Sequence, residues 1–235
     1  TYLSYNIVVG DNLDRERYIA FQVLDYVLCS APGAPLKQAL LDKKIGKDVY
    51  SYYENGLRQP YFSIIAKNAN LSDREEFVNT IEETLSRIVR DGIDKKALKA
   101  GLNYYEFRYR EADFGSWPAG LMYGLQVMDS WLYDDRKPFI HIEAGDTYRS
   151  LREKADTDYF EKLISTYMID NTHKSVLTLE PKKGLSREHD ELLKQKLADY
   201  KAGLSAEELE SIIRETEALR EYQETPDTKE ALACI

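Results

Sequence analysis

Cysteine is nearly missing from this chain: Cys29 and Cys234 are the only thiols in 235 residues. Two thiols so far apart cannot form the disulfide framework of a small secreted scaffold, and a reducing compartment, by default the cytoplasm, is expected. Histidine is almost as scarce. His141, His173 and His189 are the whole set, and no two of them are four apart. Neither H-E-x-x-H nor its inverted form H-x-x-E-H can be built from them. Positive charge is in deficit as well, with 32 Lys and Arg against 41 Asp and Glu and a net charge of −9. That balance argues against nucleic acid or an anionic membrane as a partner. No apolar run approaches the ~20 residues that span a bilayer, and the N-terminus has neither the basic nor the apolar region of a secretory signal. P-loop and G-x-S-x-G patterns are absent too.

What is present suits a folded domain. Hydrophobic residues make up 43% of the chain, enough to build a core and exclude wholesale disorder. The chain opens on Thr1, inside a strand pattern (Leu3, Tyr5, Ile7, Val9 alternating), so an excised piece of a longer protein is expected. A buried helix follows over about 14–30, broken by APGAP (31–35), and then a short helix over 36–46 closed by Gly46. Strands over 48–54 and 57–66 flank Asn55-Gly56, a strong hairpin signal. Ser72 and Glu75 read as a capping box for a helix ending near Gly92, and Asp94 caps the next, with Leu98, Leu102, Tyr105 and Tyr109 on one face. Further helices are expected from Leu121 to Leu132, over 146–154 and over 157–168, then a last strand at 174–179. Residues 185–235 hold 13 acids and 7 Lys or Arg, and read as a charged helical hairpin turning at 202–205 with a Ser205/Glu208 capping box. The fold class expected is α+β. It has an antiparallel sheet of at least four strands with helices packed on one face (1–181), followed by a C-terminal helical hairpin (182–235).

The stretch YREADFGSWPAGLMYG (109–124) holds Asp113-Phe114-Gly115, the kinase magnesium triplet. Its companions, a Gly-rich loop, a strand lysine and an H-R-D loop, are missing. The alternative is a helix–helix joint: Gly115 breaks one helix, Ser116 caps the next, and Pro118 sits in its first turn. His141-Ile142-Glu143 matches the H-x-E of zinc deaminases without their P-C-x-x-C. Cys29 on the buried helix reads as a core residue. Arg108 and Arg110 flank the Tyr109 stripe and face either solvent or a cleft, and the solvated face is the expectation. An unrecognised carboxylate site around Glu106, Glu111 and Asp113 remains an enzymatic alternative.

The run GAPLKQALLDKKIGKDVYSYYENG (33–56) resembles the non-catalytic repeat of insulinase/pitrilysin-type zinc peptidases. Leu36, Leu40 and Gly46 fall in its pattern, while the family's frequent Arg is replaced by Leu41 or Asp42 and its following Leu by Lys47. The stretch 91–139, with GIDKKAL and READFG, is similar to the presequence-protease branch, and the tail after Gly184 resembles that branch's helical linker. The resemblance implies a parent of two halves that close around an unfolded peptide. In the parent, zinc is held in another domain by H-x-x-E-H and a downstream Glu. This chain would be the second, non-catalytic domain of the first half plus the linker, forming a wall of the peptide chamber. Its partners would be the remaining domains of the same polypeptide and, in the parent, a peptide substrate. The helix over 14–30 stands where the catalytic repeat has its zinc helix but offers no His. The family's substrate-binding Arg and Tyr belong to a last domain outside this chain. No catalytic, cofactor-binding or metal residue is assigned here, and the chain alone is expected to be inactive. The alternative is a stand-alone binding or scaffold module that uses the helical hairpin.

Overall fold

The computed structural model describes residues 1–112 and 114–233. They divide into two compact units, Thr1–Pro181 and Lys182–Ile235.

In the first unit, strands β1 (Tyr2–Val8), β2 (Asp48–Glu54), β3 (Tyr61–Lys67) and β4 (Lys174–Leu179) form one sheet in the order β2-β3-β1-β4. Every neighbouring pair is antiparallel. This is the α+β architecture expected from the alternating patterns. Period two sends Leu3, Tyr5 and Ile7 of β1 to the helix side, where each is at most 1% exposed. Phe62, Ile64 and Ala66 of β3 join them there.

The hairpin differs from its sequence signal. Glu54 pairs with Tyr61, so the connection runs over 55–60 instead of turning at Asn55-Gly56. Tertiary contacts hold the longer loop open: Val9 N donates to Pro60 O (2.8 Å), Asn12 N to Arg58 O (3.2 Å), and the Tyr133 hydroxyl to Gly56 O (3.1 Å). The loop's carbonyls thus find partners outside the hairpin, and the local turn preference yields to them.

Helix α1 (Arg15–Asp25) is capped by Asp14, whose side chain accepts from Arg17 N (3.0 Å). It runs into a π turn, Tyr26–Ser30, that buries Val27, Leu28 and Cys29. Helix α2 (Pro35–Asp42) follows. Arg15–Asp42 includes an 18-residue window of mean hydropathy 1.2, long and apolar enough to cross a membrane, where the sequence pattern indicates no such run. Its apolar side chains lie in the core: Ala20, Phe21, Val23, Leu24 and Leu28 are fully buried. α2 ends before Gly46, which instead lets the chain enter β2. With φ at +79°, Gly46 brings its backbone so close to β3 that a Cβ would lie 2.9 Å from Lys67 O.

Helix α3 (Arg74–Asp91) is preceded by a 3-10 turn at Leu71–Asp73. The capping box is Asn70 with Asp73, not Ser72 with Glu75, because the extra turn shifts the helix entry toward the N-terminus. Phe77 leads the buried stripe with Ile81, Leu85 and Ile88. Helix α4 (Lys95–Glu111) is capped by Asp94. Its Gly101 allows close approach to the first helix, since a Cβ there would lie 3.2 Å from the Tyr26 ring. α4 ends at Ala112 in the left-handed region, ahead of Gly115. Helix α5 (Ala119–Trp131) has Pro118, not Ser116, at its N-cap position. α5 is apolar, yet only Ser130 is buried. Helices α6 (Gly145–Lys154) and α7 (Tyr159–Ile164), the latter continued by a π turn at Ser165–Ile169, complete the layer.

The second unit contains α8 (Leu185–Ala202), α9 (Ala206–Glu224) and the short α10 (Lys229–Leu232). The Ser205/Glu208 capping box forms as expected. No residue of α8 or α9 is buried. Leu192, Leu193, Leu197 and Ile213 are among the exposed apolar side chains they present.

Candidate functional site

Helix α1 buries Tyr18, Ile19, Ala20, Phe21, Val23 and Leu24 and carries no histidine. Among the described residues no three His, Cys, Asp or Glu side chains come together in a way that could hold a metal ion. The described residues of this chain therefore offer no side-chain set to hold zinc.

Of the acids of the alternative carboxylate site, the two described ones, Glu106 and Glu111, do not converge on a reactive centre. Glu106 is buried and shared by two arginines: Arg110 Nε donates to Oε1 (2.8 Å) and Arg152 Nε to Oε2 (2.7 Å). Burial alone would raise its carboxyl, but the hydrogen bonds from Arg152 and Arg110 outweigh this and hold it below the usual range. It is an ionised cross-link between α4 and α6. Glu111 is exposed, and Asp113 lies outside the described residues. Phe114 packs edge-on against Tyr123, 5.1 Å between centroids. Cys29 is buried and its thiol is pushed far up by that burial, the opposite of an activated nucleophile. His141 is 5% exposed while Glu143 is exposed, so the H-x-E pair is split between interior and solvent.

His141 leads to a cavity that no local pattern indicates. Its ring stacks on Tyr18 at 3.7 Å. Burial pushes its pKa down to about 4, so it is neutral near pH 7. The Tyr18 hydroxyl donates to Asp129 Oδ2 (2.8 Å) and Asn12 Nδ2 donates to the Asp129 carbonyl, which ties α5 to α1. Burial raises the Asp129 carboxyl. On the other side Tyr109 donates to Ile142 O (3.0 Å) and accepts from Ala144 N (3.2 Å), fixing the segment before α6 against α4. Between these walls lies a cavity of about 220 Å³. Tyr105, whose hydroxyl is pushed up to about 12 by burial, lines it with Tyr148 and Phe114. Arg108 lines it too, so one of the two arginines expected on a solvated face borders a cleft. Arg110 instead holds Glu106. In the sequence the tyrosines of α4 read as an apolar stripe, and the density of tyrosine, 18 in the chain, is the one available hint of an aromatic site.

Two family models match the sequence. The inactive domain of peptidase family M16 covers residues 1–105, and the associated segment of that family's subfamily C covers 179–235. The chain belongs to the M16, insulinase-like peptidase family. It is an inactive M16 domain with the subfamily C associated segment behind it, and its relatives place it in the presequence-protease-like branch. Protein HypA of Clostridium perfringens is 43% identical over all 235 residues, which make up 24% of that protein. Presequence protease 1, chloroplastic/mitochondrial, of Arabidopsis thaliana is 31% identical over 95% of this chain and 21% of its own length. The M16 chain thus spans about a quarter of the length of these relatives. Among solved structures, the inactive peptidase domain of a Bordetella parapertussis protein described as a zinc protease superposes with a TM-score of 0.62 at 10% identity. The match covers 77% of this chain and 92% of the other, and at that identity the likeness concerns the fold alone.

Proposed function

We propose that this M16 domain forms one wall of the peptide chamber of a zinc-dependent endopeptidase that degrades unfolded oligopeptides. Residues 182–235 link it to the second half of the same polypeptide, and the metal is held by a catalytic repeat elsewhere in that polypeptide. The observation that carries this reading is the sheet face away from the helices. The strand registers set Tyr50, Ile65, Ser4 and Leu177 in one row, and Tyr52, Ser63, Asn6 and Ser175 in the next. Tyr52 is 49% exposed, Leu177 61% and Leu179 63%. Asn6 accepts from Ser63 Oγ (2.6 Å) and Ser4 Oγ (2.8 Å), so the polar centre of the face is already satisfied. A broad face of tyrosine and leucine around a neutral polar centre suits sequence-tolerant contact with an extended chain, through ring faces and aliphatic area. A closed chamber then selects by size and flexibility, because a folded protein cannot enter, and chamber opening is the gating step. The unburied apolar side chains of α8 and α9 support a docked role for the linker in the longer polypeptide. The stand-alone binding module would use the same side chains.

The test places a photo-crosslinking phenylalanine at Tyr52, or at Arg149 on α6, in the full-length protein. An unfolded peptide is expected to crosslink at position 52 and not at 149, with the signal competed by excess peptide. Crosslinking at 149 with none at 52 contradicts the reading.

A further inference from the structure

We propose that the cavity between α1, α4, α5 and the segment before α6 binds an aromatic side chain that carries a carboxylate, the C-terminal aromatic residue of a peptide. The site stands apart from the chamber reading, since it belongs to the helix layer and not to the bare sheet face.

Size comes first. About 220 Å³ falls below the 300–1,000 Å³ of sites for drug-sized ligands and suits a single ring with a short stem. The walls come next. The stacked Tyr18–His141 pair, 3.7 Å between centroids, and the Tyr109–Tyr148 pair, 5.5 Å, present ring faces and edges that favour an aromatic guest over an aliphatic one. Polar groups complete the match. Arg108 is exposed, and its guanidinium meets the Tyr104 ring at 5.7 Å and the Tyr104 hydroxyl at 3.3 Å. It has no carboxylate partner among the described residues, whereas Arg110 and Arg152 share Glu106. Gln22 and Gln126 also line the cavity, half-buried, and their side-chain amides make no hydrogen bond among the described residues. A ring, a carboxylate and one amide linkage are together the groups of a C-terminal aromatic residue: ring in the slot, carboxylate on Arg108, peptide amide on the glutamines. Burial keeps His141 neutral near pH 7, so Arg108 is the one full charge among the described residues lining the cavity.

The experiment uses the 235-residue chain. N-acetyl-L-phenylalanine, its carboxamide and N-acetyl-L-leucine are titrated by calorimetry and by fluorescence excited at the tryptophans. Trp117 and Trp131 lie in the joint before α5 and at its end, so both report on the α5 wall. The phenylalanine acid is expected to bind about tenfold more tightly than its amide and than the leucine acid. Arg108→Gln, at an exposed position whose fold is checked by circular dichroism, removes the preference for acid over amide. Met122→Trp fills the cavity from α5 and abolishes binding. A decapeptide ending in phenylalanine competes when the source is a peptide terminus. Binding of the small acid without the decapeptide assigns the same chemistry to a free aromatic acid and overturns the peptide-terminus assignment. No saturable binding of the acid, equal affinity for acid and amide, or an unchanged preference in Arg108→Gln overturns the proposal.

Discussion

Phe21→Ala lowers the unfolding free energy of the Thr1–Pro181 unit by about 3–5 kcal/mol, the range for a large aromatic removed from a core that cannot close around the void. Phe21 is fully buried in α1, the helix that lies in the centre of the core. Its ring meets Tyr53 at 5.9 Å and Tyr167 edge-on at 6.1 Å, so its loss opens space between the sheet and the π turn after α7. Tyr167 in turn supports the Arg17 guanidinium, 4.6 Å above its ring. The neighbours are therefore held in place by contacts of their own and cannot move in to fill the gap. Urea denaturation followed by far-UV circular dichroism measures the change. A loss below about 0.5 kcal/mol, within the range of surface substitutions, contradicts the placement of α1.

The second large effect is on pH dependence. His141 holds a folded pKa of about 4 against the ordinary value of 6.5. Between those values the unfolded chain takes up a proton that the folded chain refuses, so stability falls as pH drops through that window. The contribution is about 3 kcal/mol, from ~1.36 kcal/mol per pKa unit. Burial is the leading cause, the nearby Arg15 charge adds to it, and the Asn12 backbone opposes it. Asp129, raised by burial, acts in the opposite sense and is present in wild type and variant alike. His141→Phe keeps a ring against Tyr18 and cannot titrate. The stability difference between variant and wild type should therefore shift in favour of the variant by about 3 kcal/mol from pH 6.5 to pH 4. A difference that stays constant across that range places His141 in water.

Strand β1 is legible in the letters because a half-buried strand writes its burial as strict alternation, as Leu3, Tyr5 and Ile7 do. The 55–60 loop is not. Asn55-Gly56 is a local signal, and it is overruled by partners at Val9, Asn12 and Tyr133 that become neighbours only after folding. The same limit hides the cavity. Tyr18, Tyr109, His141 and Tyr148 come from separate elements, and periodicity says that a tyrosine faces inward without saying whether the space beside it is filled. Glu106 shows the reverse. As a single acid on a helix it is a candidate for chemistry, and its neutralisation by Arg152, 46 residues away along the chain, has no sequence signature. H-x-x-E-H is a local pattern, so its absence can be read from three histidines alone. The family signal lies in the stretches 33–56 and 91–139, where helix starts, joints and turns follow a recurring order.

In the chamber-wall role proposed above, this M16 domain would have no need of catalytic machinery of its own. The most direct measurement is the zinc content of the purified 235-residue chain together with its cleavage of an unfolded peptide, with and without chelator. No stoichiometric zinc and no chelator-sensitive cleavage are expected. One zinc per chain accompanied by chelator-sensitive peptide hydrolysis would contradict the wall assignment.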